Sequence, residues 1–449
     1  MKKWLLFLSS FCIAVTMLYS QSPDFTKLLG ENMNCVVDMI PAADGNLIIA
    51  GNNKSQTMVF VTSVNTEGEI VWSNFFIGEM LWYSRIVQKS NGNILIPMGN
   101  FNPVLLELNN LGDSLGSITL SETTESYFGS VVELQDSLIF AAEIIYNDDP
   151  FFPDVDYSYL VKISENGNVI EKYLFNNEII MDILPYSGNQ LFVLVHPYDT
   201  IHSYVAKYNV SGELLATSSC NTLYPYLNRL FEINSSSFIA VGYNNIEHAN
   251  MQGTLSKFGM DLLIEYCNGY DASYFSSATH LSGTENIFVL GQNNDYCIIN
   301  TVDPFGNITS EYQISDSLTG NTIISKDNYI YVAGDNNYPT NPRACIVKIH
   351  RDSIPSNINE VEQNIFRVYP NPTSDFVYFE LDSKYNNPQY LNKYCISIEI
   401  TDLTGHLIKN LVIENGKSVW DTRNVKSGVY IYKINLPEFS TKGKIVIKK

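Results

Sequence analysis

The eight residues DGNLIIAG at 44–51, a tight turn running into a short apolar strand, return six more times along the chain. The copies read NGNILIPMG (91–99), QDSLIFAAE (135–143), SGNQLFVLV (187–195), NSSSFIAVG (234–242), GTENIFVLG (283–291) and KDNYIYVAG (326–334). Their last residues, 51, 99, 143, 195, 242, 291 and 334, are spaced by 48, 44, 52, 47, 49 and 43. A unit of forty-odd residues that carries only strand signals cannot bury its own faces. It must stack on copies of itself, and four strands per unit is the arrangement of a propeller blade.

Each unit supplies the four strands. A segment such as YSRIVQKS (83–90) leads into the turn, the LIIAG-type strand follows, and a variable loop precedes a third strand such as SYLVKISENG (158–167). That strand ends in turns such as NTEG (65–68), SENG (164–167) and DPFG (303–306), where Asn and Gly supply the positive φ of tight hairpins. An outer strand such as NVIEKYLF (168–175) completes the unit. Pro97 inside a second strand predicts a bulge. FTKLLGEN (25–32) resembles the outer-strand segment NFFIGEM (74–80), so the N-terminal end is expected to zip onto the last blade and remove a free edge. The expected fold is all-β, a seven-bladed β-propeller over 21–356. Abundant Tyr (29) and Phe (23) with only 16% charged residues suit aromatic strand pairing.

Tight turns follow strands one and three on one face, leaving little room for function there. Long polar loops follow strand two on the other, and binding groups are expected on them. The candidates are Tyr198, His202, Asn244, Asn245, His248 and Tyr338, facing a glycan or protein ligand. Asp148, Asp149, Asp154 and Asp156 could hold Ca²⁺ through oxygen ligands, though their spacing is not that of an EF-hand, Pro150 and Pro153 stiffen the segment, and a solvated acidic loop is the plainer reading. No motif demands another cofactor. There is no GxSxG, HExxH or phosphate-cradling glycine loop, so no catalytic residue is assigned. A secreted lyase or hydrolase assembled from loop carboxylates and histidines is the alternative. Residues 21–365 hold 13 Lys and Arg against 39 Asp and Glu, a net of −26 that repels nucleic acid. Cys35, Cys220, Cys267, Cys297, Cys345 and Cys395 show no metal spacing, and their pairing cannot be read.

The ends speak of export. Lys2 and Lys3 precede the apolar run WLLFLSSFCIAVTMLY, which reads as a signal peptide over 1–20 rather than a membrane span, and no transmembrane helix is expected in the mature chain. After a polar linker (357–365) the charge reverses: residues 366–449 hold 12 Lys and Arg against 8 Asp and Glu. Short alternating strands there predict a small Ig-like β-sandwich. The motifs Tyr369-Pro370-Asn371-Pro372, Asp402-Leu403-Thr404-Gly405 and Ser427-Gly428-Val429-Tyr430, ahead of a Lys-rich final strand, resemble the type A C-terminal sorting domain of the type IX secretion system. Tyr369, Pro370, Asn371, Pro372, Asp402, Gly405, Gly428 and Tyr430 carry the resemblance. It implies passage through the periplasm, recognition by the type IX translocon, removal by its sortase-like peptidase, and a passenger secreted or held on the outer-membrane surface. Asp-Ser/Thr-aliphatic triplets such as Asp113-Ser114-Leu115 are similar to the O-glycosylation motif of exported Bacteroidota proteins, and Asp-Ser is also ordinary turn chemistry.

Overall fold

The computed structural model describes residues 23–100, 102–120, 125–134, 137–146, 155–186, 189–197, 202–220, 225–246, 250–270, 272, 274–280, 286–293, 296–315, 317–336, 341–354, 366–381, 397–402, 406–413, 416–435 and 440–449. The signal peptide, the linker 357–365 and Cys395 lie outside them. The chain divides into two compact units, Met1–Pro355 and Ser356–Lys449.

In the first unit, β1 (Phe25–Leu28) stands apart in sequence from the antiparallel sheet that follows it. That sheet is β2 (Cys35–Pro41), β3 (Leu47–Asn52), β4 (Met58–Val64) and β5 (Ile70–Ile77), paired in chain order. Next come β6 (Val87–Gln88), β7 (Ile94–Asn100), β8 (Val104–Leu108) and β9 (Ser114–Thr119), then β10 (Ser126–Glu133), β11 (Ile139–Tyr146), β12 (Val155–Ile163) and β13 (Val169–Asn176). Three four-strand sheets follow. They are β14 (Glu178–Tyr186), β15 (Gln190–Pro197), β16 (Tyr204–Asn209) and β17 (Leu214–Ser219); β18 (Pro225–Asn234), β19 (Ser237–Ile246), β20 (Asn250–Gly259) and β21 (Ile264–Tyr270); and β22 (Tyr274–His280), β23 (Ile287–Asn293), β24 (Tyr296–Val302) and β25 (Ile308–Ser315). The last sheet is β26 (Leu318–Lys326), β27 (Tyr329–Asn336) and β28 (Arg343–His350), and β1 returns to complete it, pairing Phe25 with Lys348 and Leu28 with Cys345.

Apolar alternation on both faces of each sheet builds a core between every sheet and the next. Val59 and Val61 meet Ile94 and Ile96, and Phe140 meets Ile183 and Val193. Phe192 and Phe238 stack with centroids 4.5 Å apart. The cycle closes where Tyr331, Ala333 and Ile346 pack on Met39, Leu47 and Phe60. This is a β-propeller, zipped shut by its N-terminal strand.

The glycine that ends most copies of the repeat has a packing cause. The inner strands β2, β14, β18, β22 and β26 each carry an extra residue near their start, at Val37, Met181, Asn228, Ser276 and Asn321. At most of these bulges the inner backbone is driven against strand two. A Cβ on Gly51 would lie 2.0 Å from the Cys35 carbonyl oxygen, and one on Gly334 2.1 Å from that of Thr319. No side chain fits there.

Pro97 makes no bulge, contrary to the sequence expectation: β7 and β8 pair without a break from Ile94–Leu108 to Met98–Val104. The ladder fails on its other side instead. β6 pairs only Val87 with Leu95 and Gln88 with Ile94, and in that register Arg85 would face Pro97, which has no N–H to offer. The inner strand expected over 83–90 is therefore cut to two residues. β10 takes part of the vacated edge by pairing Tyr127 with Gly99, which fuses two four-strand groups into one eight-stranded sheet.

In the second unit, β29 (Phe366–Tyr369), β30 (Phe376–Leu381) and β33 (Lys417–Asp421) form one sheet. β31 (Ser397–Asp402), β32 (Leu407–Val412), β34 (Gly428–Asn435) and β35 (Ser440–Ile447) form the other, in the order β32-β31-β34-β35. Phe379 meets Tyr432 and Trp420 meets Tyr430 edge-to-face between them, as in a small sandwich.

Candidate functional site

Freed from pairing, residues 81–86 turn across the axis of the propeller. The Ser84 amide donates to the Leu81 carbonyl at 2.9 Å, and Arg85 forms a parallel bridge beside Ser130 of β10. The bulges supply what this segment needs. Charged residues follow them in otherwise apolar strands: Asp38 in CVVDMI, Asp182 in IIMDIL and Arg229 in YLNRLF. Arg229 donates to Asp38 Oδ1 at 2.8 Å, to the Val37 carbonyl at 2.8 Å and to the Ser84 carbonyl at 3.1 Å. Asp38 also accepts the Ile86 amide at 3.0 Å. Arg85 reaches Asp182 Oδ2 at 3.1 Å and the Leu230 carbonyl at 2.7 Å, with its guanidinium over the Phe231 ring. Asp182 in turn accepts from Ser130 Oγ and the Leu230 amide. Two ion pairs thus cross the axis, Arg229–Asp38 buried and Arg85–Asp182 partly so, each with the extra hydrogen bonds that buried charge requires.

A cavity opens on either side of this lock. On the loop-rich face one of about 230 Å³ is walled by Trp82, Tyr83, Tyr226, Tyr274, Asn228 and Asn321. On the opposite face one of about 430 Å³ is lined by Arg85, Glu232, His280 and Thr322. The sequence reading left little room for function on that face. The turns are short, but the room lies on the axis inside them.

The smaller cavity continues into an aromatic row. Tyr226 lies 4.1 Å from the His196 ring and 5.1 Å from that of Tyr243, with the two tyrosines stacked. Burial and the neighbouring His202 push the His196 imidazole down to about 4, so it is neutral at physiological pH. Its Nδ1 lies 3.3 Å from Ser203 Oγ, which accepts the Leu227 amide.

Among the residues expected to bind ligand, His202 is half-buried in this neighbourhood and Asn244 is buried at the end of β19, its Nδ2 without a protein partner among the described residues. The Asn245 backbone pairs with Met251. The Asn245 side chain and Tyr198, His248 and Tyr338 lie outside the described residues, as do Asp148, Asp149, Asp154 and the side chain of Asp156, so the Ca²⁺ expectation falls there too. A carboxylate pair that the sequence did not single out sits between β5 and β10: the Tyr127 hydroxyl donates to Glu125 at 2.6 Å and lies 3.5 Å from Glu79. Burial and Glu125 raise the Glu79 carboxyl above its usual range.

Sequence reasoning missed Arg85, Arg229, Trp82, Asn228 and Asn321. The signal was available, since Pro97 breaks one inner ladder and a charge interrupts three apolar inner strands. The cysteines also divide. Cys220 and Cys267 form a disulfide, and Cys35, Cys297 and Cys345 are buried thiols. The bonded pair is 47 residues apart, about one repeat, so it links neighbouring sheets.

In the second unit the separated motifs meet. Asn371 donates through Nδ2 to the Lys444 carbonyl and accepts the Val446 amide, both at 2.8 Å. Thr373 exchanges backbone bonds with Val446 and Lys448, and Gly428 and Tyr430 pair with Ile447 and Ile445 on the same final strand. The Tyr430 hydroxyl donates to the Lys426 carbonyl. Asp402 caps its turn by accepting the His406 amide, while Gly405 lies outside the described residues. Residues 367–448 match the family described as "Secretion system C-terminal sorting domain". The tail is a C-terminal sorting domain.

That sorting domain implies an exported protein that meets the type IX secretion machinery. No helix among the described residues is long and apolar enough to cross a membrane. No curated protein matches the chain in sequence. Among solved structures, Kuenenia stuttgartiensis hydrazine synthase superposes with a TM-score of 0.53 at 9% identity, over 72% of this chain and 97% of that one, a likeness of fold alone. The Myceliophteria thermophila Cps50 (Swd1) β-propeller domain gives 0.49 at 11% identity over 72% of this chain and 98% of that one.

Proposed function

We propose that this is a secreted or surface-held binding protein, a seven-bladed propeller carried out of the cell by its sorting domain. The translocon and a sortase-like peptidase would read and remove the tail, with the working domain ending near residue 356. The observation that supports binding is the closed axis. Because the Arg–Asp pairs plug the channel, the loop-rich face presents a walled cup of aromatic rings and amides. A full-length protein tested against glycan and protein panels by interferometry should bind a ligand and lose it with Asn228→Ala. Unchanged binding in that variant removes the cup from the reading.

A second reading, a secreted hydrolase or lyase, is favoured by one feature, the convergence of Glu79 and Glu125 on Tyr127. A raised Glu79 beside a second carboxylate is the form of a general acid. Turnover of a polysaccharide that Glu79→Gln abolishes would replace the binding reading.

A further inference from the structure

The geometry points to a neutral saccharide as the ligand of the loop-face cup, held by its terminal ring with one face on Trp82. This inference rests on the binding reading above and names its ligand class.

Trp82 stands at the mouth of the cup with half its surface exposed (51%), on the segment that Pro97 releases from the sheet. Its indole therefore presents a broad flat apolar face to solvent at the edge of a cavity. Tyr83, Tyr226 and Tyr274 supply further rings. Asn228 brings its amide from the bulge of β18, and Asn321, whose Nδ2 already donates to the Val36 carbonyl and to Asp335, brings its Oδ1 as an acceptor from the bulge of β26. Flat apolar faces interleaved with neutral donors and acceptors match a sugar ring, whose C–H face stacks while its hydroxyls form hydrogen bonds. These side chains are short or rigid, so little entropy is lost when they are fixed by a ligand.

Charge narrows the class. Among the described residues lining the cup Arg229 is the one cation, and Asp38 already matches it at 2.8 Å, so these side chains offer no free positive charge to a carboxylate or sulfate. The surrounding net of −26 repels polyanions. Size narrows the mode. About 230 Å³ is below the roughly 300–1,000 Å³ of pockets that enclose drug-sized ligands, and the lock beneath prevents a chain from threading through. One ring enters, end-on. A peptide would need a longer groove or an accessible strand edge.

The test uses the full chain, titrated with neutral hexasaccharides from β-glucan, mannan, xylan and chitin. Oligogalacturonate, a heparin-derived hexasaccharide and an unstructured peptide serve as contrasts, with tryptophan fluorescence and calorimetry as readouts. At least one neutral saccharide should bind. Trp82→Ala should weaken it roughly tenfold or more, Trp82→Phe should retain most affinity, and the melting temperature should not move. Neutral-saccharide binding indifferent to both Trp82→Ala and Asn228→Ala overturns the site. If only an anionic glycan or the peptide binds, and Trp82→Ala abolishes it, the ligand class is wrong while the binding reading survives. If no probe binds, the saccharide inference is rejected.

Discussion

Arg229 and Asp38, 191 positions apart in sequence, hold each other at 2.8 Å with side chains only 4% and 5% exposed. They come from the fifth and first four-strand groups in chain order, which are not neighbours, so this pair ties the propeller across its axis rather than around its rim. Removing one partner strands the other charge in a dry site. Arg229→Met should therefore cost about 3–5 kcal/mol. The double variant Arg229→Met with Asp38→Asn should cost less than the single one, because the amide is neutral and its oxygen can still accept the Ile86 N–H. Urea denaturation of the three proteins gives the comparison, and equal losses for single and double variants would contradict the account.

The repeat glycines offer a packing test. Gly334→Ala forces a methyl to within 2.1 Å of the Thr319 carbonyl oxygen, whereas a Cβ on Gly92 meets nothing within 4 Å. Gly334→Ala should cost about 2 kcal/mol or more, and Gly92→Ala only the roughly 1 kcal/mol of its positive φ. Thermal unfolding should rank them in that order.

Ring closure makes a prediction about edges. Deleting residues 23–32 removes β1 from β28 and exposes its backbone between Cys345 and Lys348. Amide exchange should accelerate along β28, and the melting temperature of the whole propeller should fall with it. Loss of protection confined to β1 would mean that the zip contributes nothing to the ring.

Asp335 makes stability depend on pH. Its carboxylate is buried, accepting from the Val36 amide and from Asn321 Nδ2, and burial raises it from 3.8 to about 7. The folded protein therefore holds a proton between those values that the unfolded chain has released. The contribution is fully present below about pH 4 and is lost as pH rises toward 7, at up to about 1.4 kcal/mol per pH unit. His196, lowered to about 4, acts in the opposite direction between about 4 and 6.5. Only the difference between wild type and Asp335→Asn isolates the aspartate, and the variant should gain relative stability from pH 5 to pH 8. A pH-independent difference would show that Asp335 does not titrate there.

In the sorting domain, Asn371 binds the final strand through both ends of its amide. Asn371→Ala should free the residues around 444–448 to exchange faster and lower the amount of protein exported, while the propeller melts unchanged. Export at the wild-type level with a loosened strand would separate the motif's structural part from its recognition.

What the sequence determined by itself is local. Turn pairs such as Asp44-Gly45 and Asn65 with Gly68 dictate tight hairpins from their own φ preferences, and apolar alternation between them makes strands. Seven recurrences at one spacing then leave few folds besides a ring, and the motifs around Asn371 and Gly428 announce the tail. Only the tertiary structure decided what fills the axis. Arg85, Asp182, Arg229 and Asp38 come from different sheets and meet because closure brings inner strands together, and no short-range pattern encodes who faces whom. The same holds for Trp82. In sequence it lies just ahead of an expected inner strand, and it becomes the lip of a cup because Pro97, fifteen residues on, offers no hydrogen bond to extend that strand back past Val87. Local rules built the blades. The channel belongs to contacts that exist only once the ring is shut.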